Sequence, residues 1–371
     1  MEKYKLIATS TFGLESVVKR ELEKLGVEGI KAQDGRVDFL GDARDIARAN
    51  IWLRCSDRVL VNMGEFEAFS FEELFEKTKK IEWANLIPID GKFTVTGKSV
   101  KSQLYSVPDC QAIVKKAIVE KLKLSYKVDW FEETGAEYKV QVSLLKDRVT
   151  LTIDTTGPSL HRRGYRENAG QAPLKETLAA ALIDLSYYRP GKILADLCCG
   201  SGTIPIEAAM IARNIAPGIN RKFACSKWEK ISQEIWDEER KAAKDAVDHK
   251  IKVEIYGSDI DGGMIDLAIE NAEKAGVADC ITFTTAPIKR AEVEGDFGVC
   301  IMNPPYGERL ATAKQAAEIY SQMGKIFSQN PTWSVYVLTS DEYFEKAYGK
   351  RADKKRKLFN GMIKTDYYQY F

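Results

Sequence analysis

Beyond Lys192 the chain settles into one rhythm, and that rhythm limits what it can fold into. Short apolar runs at Lys192–Asp196, Ile251–Asp259, Cys280–Thr284, Phe297–Met302 and Ser334–Thr339 read as strands. Helical periodicity separates them, to Arg213 after the first and to Ala275 after the second. Alternation of this kind implies right-handed βαβ units and a mostly parallel sheet. The stretch 214–250 interrupts the pattern with charged sequence expected to be helical. No internal repeat or low-complexity tract is visible.

The first half reads differently. Alternation through Tyr4, Leu6 and Ala8 predicts a strand. A helix follows from Phe12-Gly13-Leu14 to about Leu25, with Leu14, Val17, Val18, Leu22 and Leu25 on one face. Residues 28–40 predict a hairpin turning at Asp34-Gly35, then come a helix at 42–52 and a strand over Ser56–Phe66. This order suggests a small α+β domain over residues 1–66. Residues 67–157 continue in α+β style. Helices are expected at 70–80 and from Pro108 to about Leu124, with strands at 92–97, 138–143 and 148–154. Seven lysines (Lys98, Lys101, Lys115, Lys116, Lys121, Lys123 and Lys127) face only Asp109 and Glu120 in the stretch between Lys98 and Lys127. They form either an ordinary solvated helix face or a phosphate-contacting surface. Near Thr156 the pattern changes, and His161-Arg162-Arg163-Gly164-Tyr165-Arg166 is a basic connector into a last unit, 158–371.

Composition excludes several classes of function. The 371 residues are 44% hydrophobic, so a packed core in two or three domains is expected. With 55 basic and 54 acidic residues the net charge is +1, and any basic surface must be local. The seven cysteines include no Cys-x-x-Cys pair, which fits neither a disulfide framework nor a zinc site and suggests reduced thiols in a cytoplasmic protein. His161 and His249 are the only histidines and lie far apart, so a histidine-rich metal site or a Ser-His-Asp triad is not expected. No metal is called for, and no apolar run is long enough to predict membrane insertion.

Three motifs carry chemistry. The first is Leu194-Ala195-Asp196-Leu197-Cys198-Cys199-Gly200-Ser201-Gly202-Thr203, a strand entering a glycine-rich turn and then a helix. Glycines let a ligand approach the backbone. Pro205 occupies the place of the third glycine of a dinucleotide fingerprint, which argues against a nicotinamide or flavin dinucleotide. The second is Tyr256-Gly257-Ser258-Asp259-Ile260-Asp261, whose strand-end Asp259 can accept two hydrogen bonds from a ribose diol, or simply cap a helix. The third is Cys300-Ile301-Met302-Asn303-Pro304-Pro305-Tyr306-Gly307. Its prolines stiffen the turn, so the Asn303 side-chain carbonyl and the Pro304 main-chain carbonyl can face one point. Two acceptors there can take both N–H bonds of an aromatic amine and favour a pyramidal nitrogen whose lone pair faces an electrophile. Tyr306 can stack on the base.

Taken in order, these motifs resemble the class I methyltransferases, and specifically the THUMP-domain RNA methyltransferases that make N2-methylguanosine. Ala8-Thr9-Ser10-Thr11-Phe12-Gly13-Leu14-Glu15 resembles the family's ferredoxin-like start. Arg163-Gly164-Tyr165-Arg166 and Ala172-Pro173-Leu174-Lys175-Glu176-Thr177-Leu178-Ala179 resemble the entry to its catalytic domain, and Lys355–Gly361 with Tyr367-Tyr368 its close. The resemblance covers nearly the whole chain. It implies a ferredoxin-like domain, a THUMP domain over 67–157, and an α/β Rossmann-like domain with a seven-stranded, mostly parallel sheet.

It also implies roles. Asp196, Gly200 and Gly202 line the methionine end of S-adenosylmethionine, with Cys199 and Asn303 also counted as cofactor contacts. Asp259 binds the ribose and Ile260 lies beside the adenine. Asn303, Pro304 and Tyr306 hold the target base. The acid that often contacts the adenine amine is missing from Phe283-Thr284-Thr285-Ala286-Pro287, where Thr285 or a backbone group can substitute.

The implied partner is structured RNA, ribosomal (23S) or transfer, with the target base single-stranded or flipped out. The expected platform combines the N-terminal domains, the connector Arg162–Arg166 and the stretch 350–357, which carries six basic residues among eight. That stretch reads equally well as a solvated loop before an edge hairpin. Transfer is direct, and Cys198 and Cys199 are expected to pack behind the turn rather than act as nucleophiles. The rival readings are a DNA amino-methyltransferase, a non-catalytic RNA-binding assembly factor and a dinucleotide oxidoreductase. Oligomeric state is open.

Overall fold

The computed structural model describes residues 2–166, 174–305 and 313–371. The described residues form two seven-stranded sheets, one per half of the chain.

The first sheet is built from β1 (Tyr4–Ser10), β2 (Glu28–Gln33), β3 (Arg36–Gly41), β4 (Ser56–Glu67), β5 (Lys92–Val100), β6 (Glu137–Leu145) and β7 (Arg148–Asp154). Helices α1 (Glu15–Lys24) and α2 (Ala43–Trp52) complete a βαββαβ unit with β1 to β4, while α3 (Phe71–Lys79) and α4 (Val107–Tyr126) accompany the later strands. Local chemistry sets the helix starts. Asp42 accepts from the N–H groups of Arg44 and Asp45, and Asp45 accepts from the Asp42 N–H in return, a closed capping box. Ser70 caps α3, and Pro108 sits in the first turn of α4. The two α+β units share their sheet: the order is β2-β3-β1-β4-β7-β6-β5, with the long β4 pairing β1 through one half and β7 through the other. Of the seven lysines between 98 and 127, Lys121 pairs with Glu82, while Lys115 and Lys116 lie over the rings of Phe93 and Phe75.

The second sheet contains β8 (Leu194–Asp196), β9 (Ile255–Asp259), β10 (Ile281–Thr285), β11 (Val299–Met302), β12 (Ser334–Thr339), β13 (Lys354–Asn360) and β14 (Ile363–Tyr370). Its order is β10-β9-β8-β11-β12-β14-β13, and β14 alone runs against the others. Helices α5 (Glu176–Asp184), α6 (Thr203–Ala212), α7 (Gln233–Asp245), α8 (Gly262–Ala275), α9 (Ala313–Gln329) and α10 (Phe344–Tyr348) complete this half. The chain moves outward from β8 to β10 and then returns to β11 on the other flank of β8. That reversal opens a crevice at the carboxyl ends of β8 and β11.

Several strands are shorter than the apolar runs suggest. β9 begins at Ile255 rather than 251, because Leu194 of β8 and Ile281 of β10 both enter the ladder opposite Ile255. Upstream of it only the Glu254 carbonyl is engaged in the ladder, accepting from the Leu194 N–H at 3.0 Å. The stretch 214–250 is helical only over α7 and a short turn at Ala224–Lys227. It ties the two halves together. Arg44 and Arg48 of α2 pair with the buried Glu239 of α7, at 3.0 and 3.2 Å. The Trp228 ring stacks on Tyr138 of β6 at 4.6 Å, and its Nε1 donates to the Glu137 carbonyl. The basic stretch 350–357 enters β13 at Lys354 and is no loop from there on. Arg356 donates to the Gly13 carbonyl at 2.6 Å and Ser16 Oγ at 3.1 Å, and Lys355 pairs with Glu345. No described helix is long and apolar enough to cross a membrane.

Candidate active site

The crevice gathers the three motifs. Register sets Leu194 and Ala195 of β8 beside Val299 and Cys300 of β11, and Asp196 beside Gly257 of β9. Adjacent strands lie about 4.8 Å apart, so the ends of β8, β9 and β11 present Asp196, Asp259 and Asn303 along one edge.

The glycine turn is held down from two sides. The Cys199 N–H donates to the Ser258 carbonyl and the Gly200 N–H to Asp259 Oδ2, both at 2.9 Å. Asp259 Oδ1 accepts from the Asp261 N–H at 3.1 Å. A carboxylate has about four lone-pair sites, so Asp259 can anchor the turn and still accept from a diol. From α8, the buried Asn271 donates to the Ser201 carbonyl at 3.1 Å. Gly202 has φ of 80°, and a Cβ there would lie 3.0 Å from the Ala268 Cβ and 3.1 Å from the Phe283 ring. At Gly257 a Cβ would meet the same ring at 2.7 Å. Phe283 thus fills the space between β9 and the turn, and both strand and turn need glycine against it.

Asp196 is 1% exposed and accepts from the Cys198 N–H at 3.1 Å. Burial pushes its carboxyl up to about 8, and the charge of Asp259 adds to the rise. Burial likewise drives the Cys198 thiol far above its ordinary value, and that of Cys199 upward too. Thiols held protonated are poor nucleophiles, in keeping with a packing role. Ile260 is 73% exposed at the rim, beside the end of β10, where Thr285 stands opposite Asp259.

Asn303 follows directly on β11, with Pro304 buried behind it. Its Oδ1 is enclosed and accepts no hydrogen bond from any described residue. Such an orphaned acceptor is costly unless a donor arrives. Tyr306 lies outside the described residues, as do Ala172 and Pro173.

Four further residues shape this site without having been assigned to it from sequence: Gly257, Asn271, Phe283 and Arg166. Gly257 stood inside a recognised motif, while Asn271 and Phe283 carry no local signal. Arg166 ends the basic connector and reaches the first residue of α6, donating to Thr203 Oγ1 at 3.0 Å and to the Leu174 carbonyl at 3.1 Å. It also pairs with Glu176 at 3.0 Å. The connector therefore runs along α6 and braces the helix immediately after the glycine turn.

A seven-stranded α/β sheet with one reversed strand, a glycine turn at its switch point and an Asn-Pro-Pro sequence at the next strand end define a class I methyltransferase. Comparison with known proteins agrees. Residues 163–369 match the RMKL-like methyltransferase domain (UPF0020), residues 5–60 the RlmL ferredoxin-like domain and residues 68–154 the THUMP domain. The chain is 55% identical, over its full length and 97% of the relative, to the Bacillus subtilis (strain 168) protein named "Putative RNA methyltransferase YpsC". Among solved structures, one from Listeria monocytogenes with the name of a predicted N6-adenine-specific DNA methylase is 50% identical. It covers 100% of this chain and 97% of its own, with a TM-score of 0.95. SMU.472, solved in complex with SAH, is 43% identical over 100% of this chain and 98% of its own, also at a TM-score of 0.95. The protein belongs to the RMKL-like methyltransferase family. Its cofactor is S-adenosylmethionine, and the residues present fit it: a glycine cradle that a Cβ would fill and Asp259 with acceptor capacity to spare.

Proposed function

We propose that the protein methylates the exocyclic N2 amine of a guanosine in structured RNA, with 23S ribosomal RNA the first target to test and transfer RNA the second. The observation that carries the reading is the enclosed Oδ1 of Asn303 at the end of β11, which has no hydrogen-bond partner among the described residues. An amino N–H is the donor it lacks. The THUMP match over 68–154 and the RNA methyltransferase name of the Bacillus relative support RNA as the carrier of that amine. Within this reading the chain divides at 66/67 and 157/158.

An aromatic amine is a weak nucleophile because its lone pair is delocalised into the ring. Asn303 Oδ1 accepts one N–H and the Pro304 carbonyl the other, which turns the lone pair out of the ring plane. Tyr306 stacks on the base. Asp259 and the turn at Gly200 and Gly202 fix the cofactor's ribose and methionine ends, with Asp196 and Cys199 beneath the turn and Ile260 against the adenine. The cofactor supplies a methyl group already activated by its sulfonium. What the chain contributes is proximity and orientation.

Two measurements test this. Nucleosides from separated ribosomal and transfer RNA pools, with and without the gene, should differ in N2-methylguanosine in one pool. Loss of another methylated nucleoside would overturn the guanine assignment, and loss of N6-methyladenine from DNA alone would overturn RNA. Asn303→Ala should lower turnover at least about a hundredfold while cofactor affinity stays within about threefold, as expected for a group acting mainly in the transition state. Equal loss of both would remove Asn303 from the base-holding role.

A further inference from the structure

A second cavity lies away from the crevice, where the connector, the segment 215–222 and the end of α8 meet. Its volume is about 350 Å³, and its charged lining is wholly basic: Arg162, Arg163, Arg221, Lys222 and Lys274. Among the described residues no acidic side chain lines it. Two of these charges are already matched, Arg163 by the buried Glu207 and Lys274 by Glu270. Arg221 is not. Its side chain lies over the Phe223 ring, one guanidinium nitrogen donates to the Pro158 carbonyl, and it forms no ion pair with any described residue. It is only 8% exposed, and its Nη1 has no hydrogen-bond partner.

A buried guanidinium with an unused donor and no ion pair among the described residues is expensive to maintain. The neighbourhood raises the cost. Burial first, then the like charges of Arg163, Arg58 and Arg162, lower the Arg221 guanidinium to about 10, against a smaller opposing pull from the Glu176 carboxylate. Arg58 is balanced by Asp154 and Arg163 by Glu207, which leaves Arg221, Arg162 and Lys222 without an ion pair among the described residues. Arg162 and Lys222 are exposed at the rim, so an anion can enter from solvent.

We infer that this cavity is a phosphate-binding site that takes one backbone phosphate of the substrate RNA, held by Arg221 within and by Arg162 and Lys222 at the mouth. Phosphate is the chemistry that fits. Arginine offers a planar fork matched to its oxygens, and rim lysines add charge without demanding geometry. The position suits a substrate contact. Met210 of α6 lines the cavity, and Thr203 at the other end of that helix adjoins the glycine turn. Seven residues of helix separate the two by about 10 Å. The phosphate would fix the RNA's register while the crevice reads the base. This inference rests on the RNA reading above.

The test uses the full-length protein with two probes. The first is ribosomal and transfer RNA from cells lacking the gene, titrated at several salt concentrations. Arg162→Gln and Lys222→Gln change exposed side chains, so folding is not at issue, and Arg221→Gln tests the interior. Each should weaken RNA binding several-fold, and the pair Arg162→Gln/Lys222→Gln should lower the slope of log affinity against log salt by about one, the value for one phosphate contact. Cofactor affinity should not change. The second probe is inorganic phosphate, read by thermal shift, which should stabilise the parent protein and not Arg221→Gln. RNA binding unaltered in all three variants would overturn the assignment. If phosphate still stabilised the parent protein, the cavity would belong to a free anion; if it did not, Arg221 would be a structural clamp. Failure of the parent protein itself to bind either RNA would strike at the RNA reading instead, and the phosphate titration would still report on the cavity.

Discussion

Asp196 gives the glycine turn a titratable reporter. In the cofactor-free protein its carboxyl is buried and raised to about 8, against an ordinary 3.8. Between those values the folded chain keeps a proton that the unfolded chain has released. The folded-state value is the higher one, so the stabilising contribution is complete below about pH 4. It drains away as pH rises and is gone above about 8. The slope within that window is about 1.4 kcal/mol per pH unit, so between pH 5 and 7 the parent protein should lose about 2.5 kcal/mol from this one group. Asp196→Asn has the same shape and cannot titrate. Relative to the parent protein it should therefore gain about 2.5 kcal/mol over those two units, or about 5–10 °C in Tm for a unit of this size. The assay is a set of melts of both cofactor-free proteins at pH 5, 6 and 7, with the difference between them plotted against pH. A flat difference would refute the reasoning, because it would mean that Asp196 is ionised in the folded chain. A second readout links the group to function. If Asp196 ionises to meet the methionine ammonium, cofactor binding at pH 7 should release about one proton. Calorimetry in two buffers of different ionisation heat detects it, and Asp196→Asn should release none.

Other substitutions have outcomes that follow from the same geometry. Gly202→Ala puts a Cβ at φ of 80° and against Ala268 and Phe283, so it should destabilise the protein by about 1–3 kcal/mol and weaken cofactor binding at least tenfold; isothermal titration with an unchanged affinity would contradict the packing described. Glu207→Ala leaves the buried Arg163 without its counter-charge and Tyr165 without its acceptor, for a loss of about 3–5 kcal/mol by denaturant titration. A loss under about 1 kcal/mol would show that water reaches the pair. Trp228→Ala removes the ring stacked on Tyr138, and at about 3–5 kcal/mol it should loosen the tie between the halves, read as faster proteolysis near residues 214–232; unchanged cleavage would place the tie elsewhere.

What could be read from sequence follows from how local each feature's cause is. The glycine turn, the strand-end Asp259 and Asn303-Pro304 were visible because each is a short string whose backbone needs are met within it. Strand limits were not, since an apolar run continues where its neighbours do not: Ile251 to Val253 looks like the start of β9 yet lies beyond the pairing with β8 and β10, which begins at Ile255. Asn271 and Phe283 were invisible for a related reason. One is an amide in the middle of a helix and the other an aromatic in a strand, and only the fold brings them under Ser201 and Gly202. The union of the first two units into one sheet is the most distant case. It rests on β4 pairing β7 across some eighty residues, and nothing in Ser56–Glu67 beyond its length announces a strand shared by two partners.

The connector shows how such distant effects bear on chemistry. Read as a string, Arg162-Arg163-Gly164-Tyr165-Arg166 is a basic patch with all of its charge on offer to a nucleic acid. The fold spends two of the three arginines internally, Arg163 on Glu207 and Arg166 on Glu176 and Thr203. Arg356 in the C-terminal basic stretch is likewise engaged, with Gly13 and Ser16. A count of basic residues therefore overstates the surface offered to RNA, and Arg162 with its neighbours across the cavity becomes the part of the connector still free to meet a phosphate. Arg163, paired with Glu207 of α6, also donates to the Arg54 carbonyl at 2.6 Å and so holds α6 against the N-terminal half. Any RNA that grips Arg162 and Arg221 consequently pulls on the helix whose first residue adjoins the cofactor turn, so binding of substrate and order at the glycine turn should be coupled through α6 rather than independent.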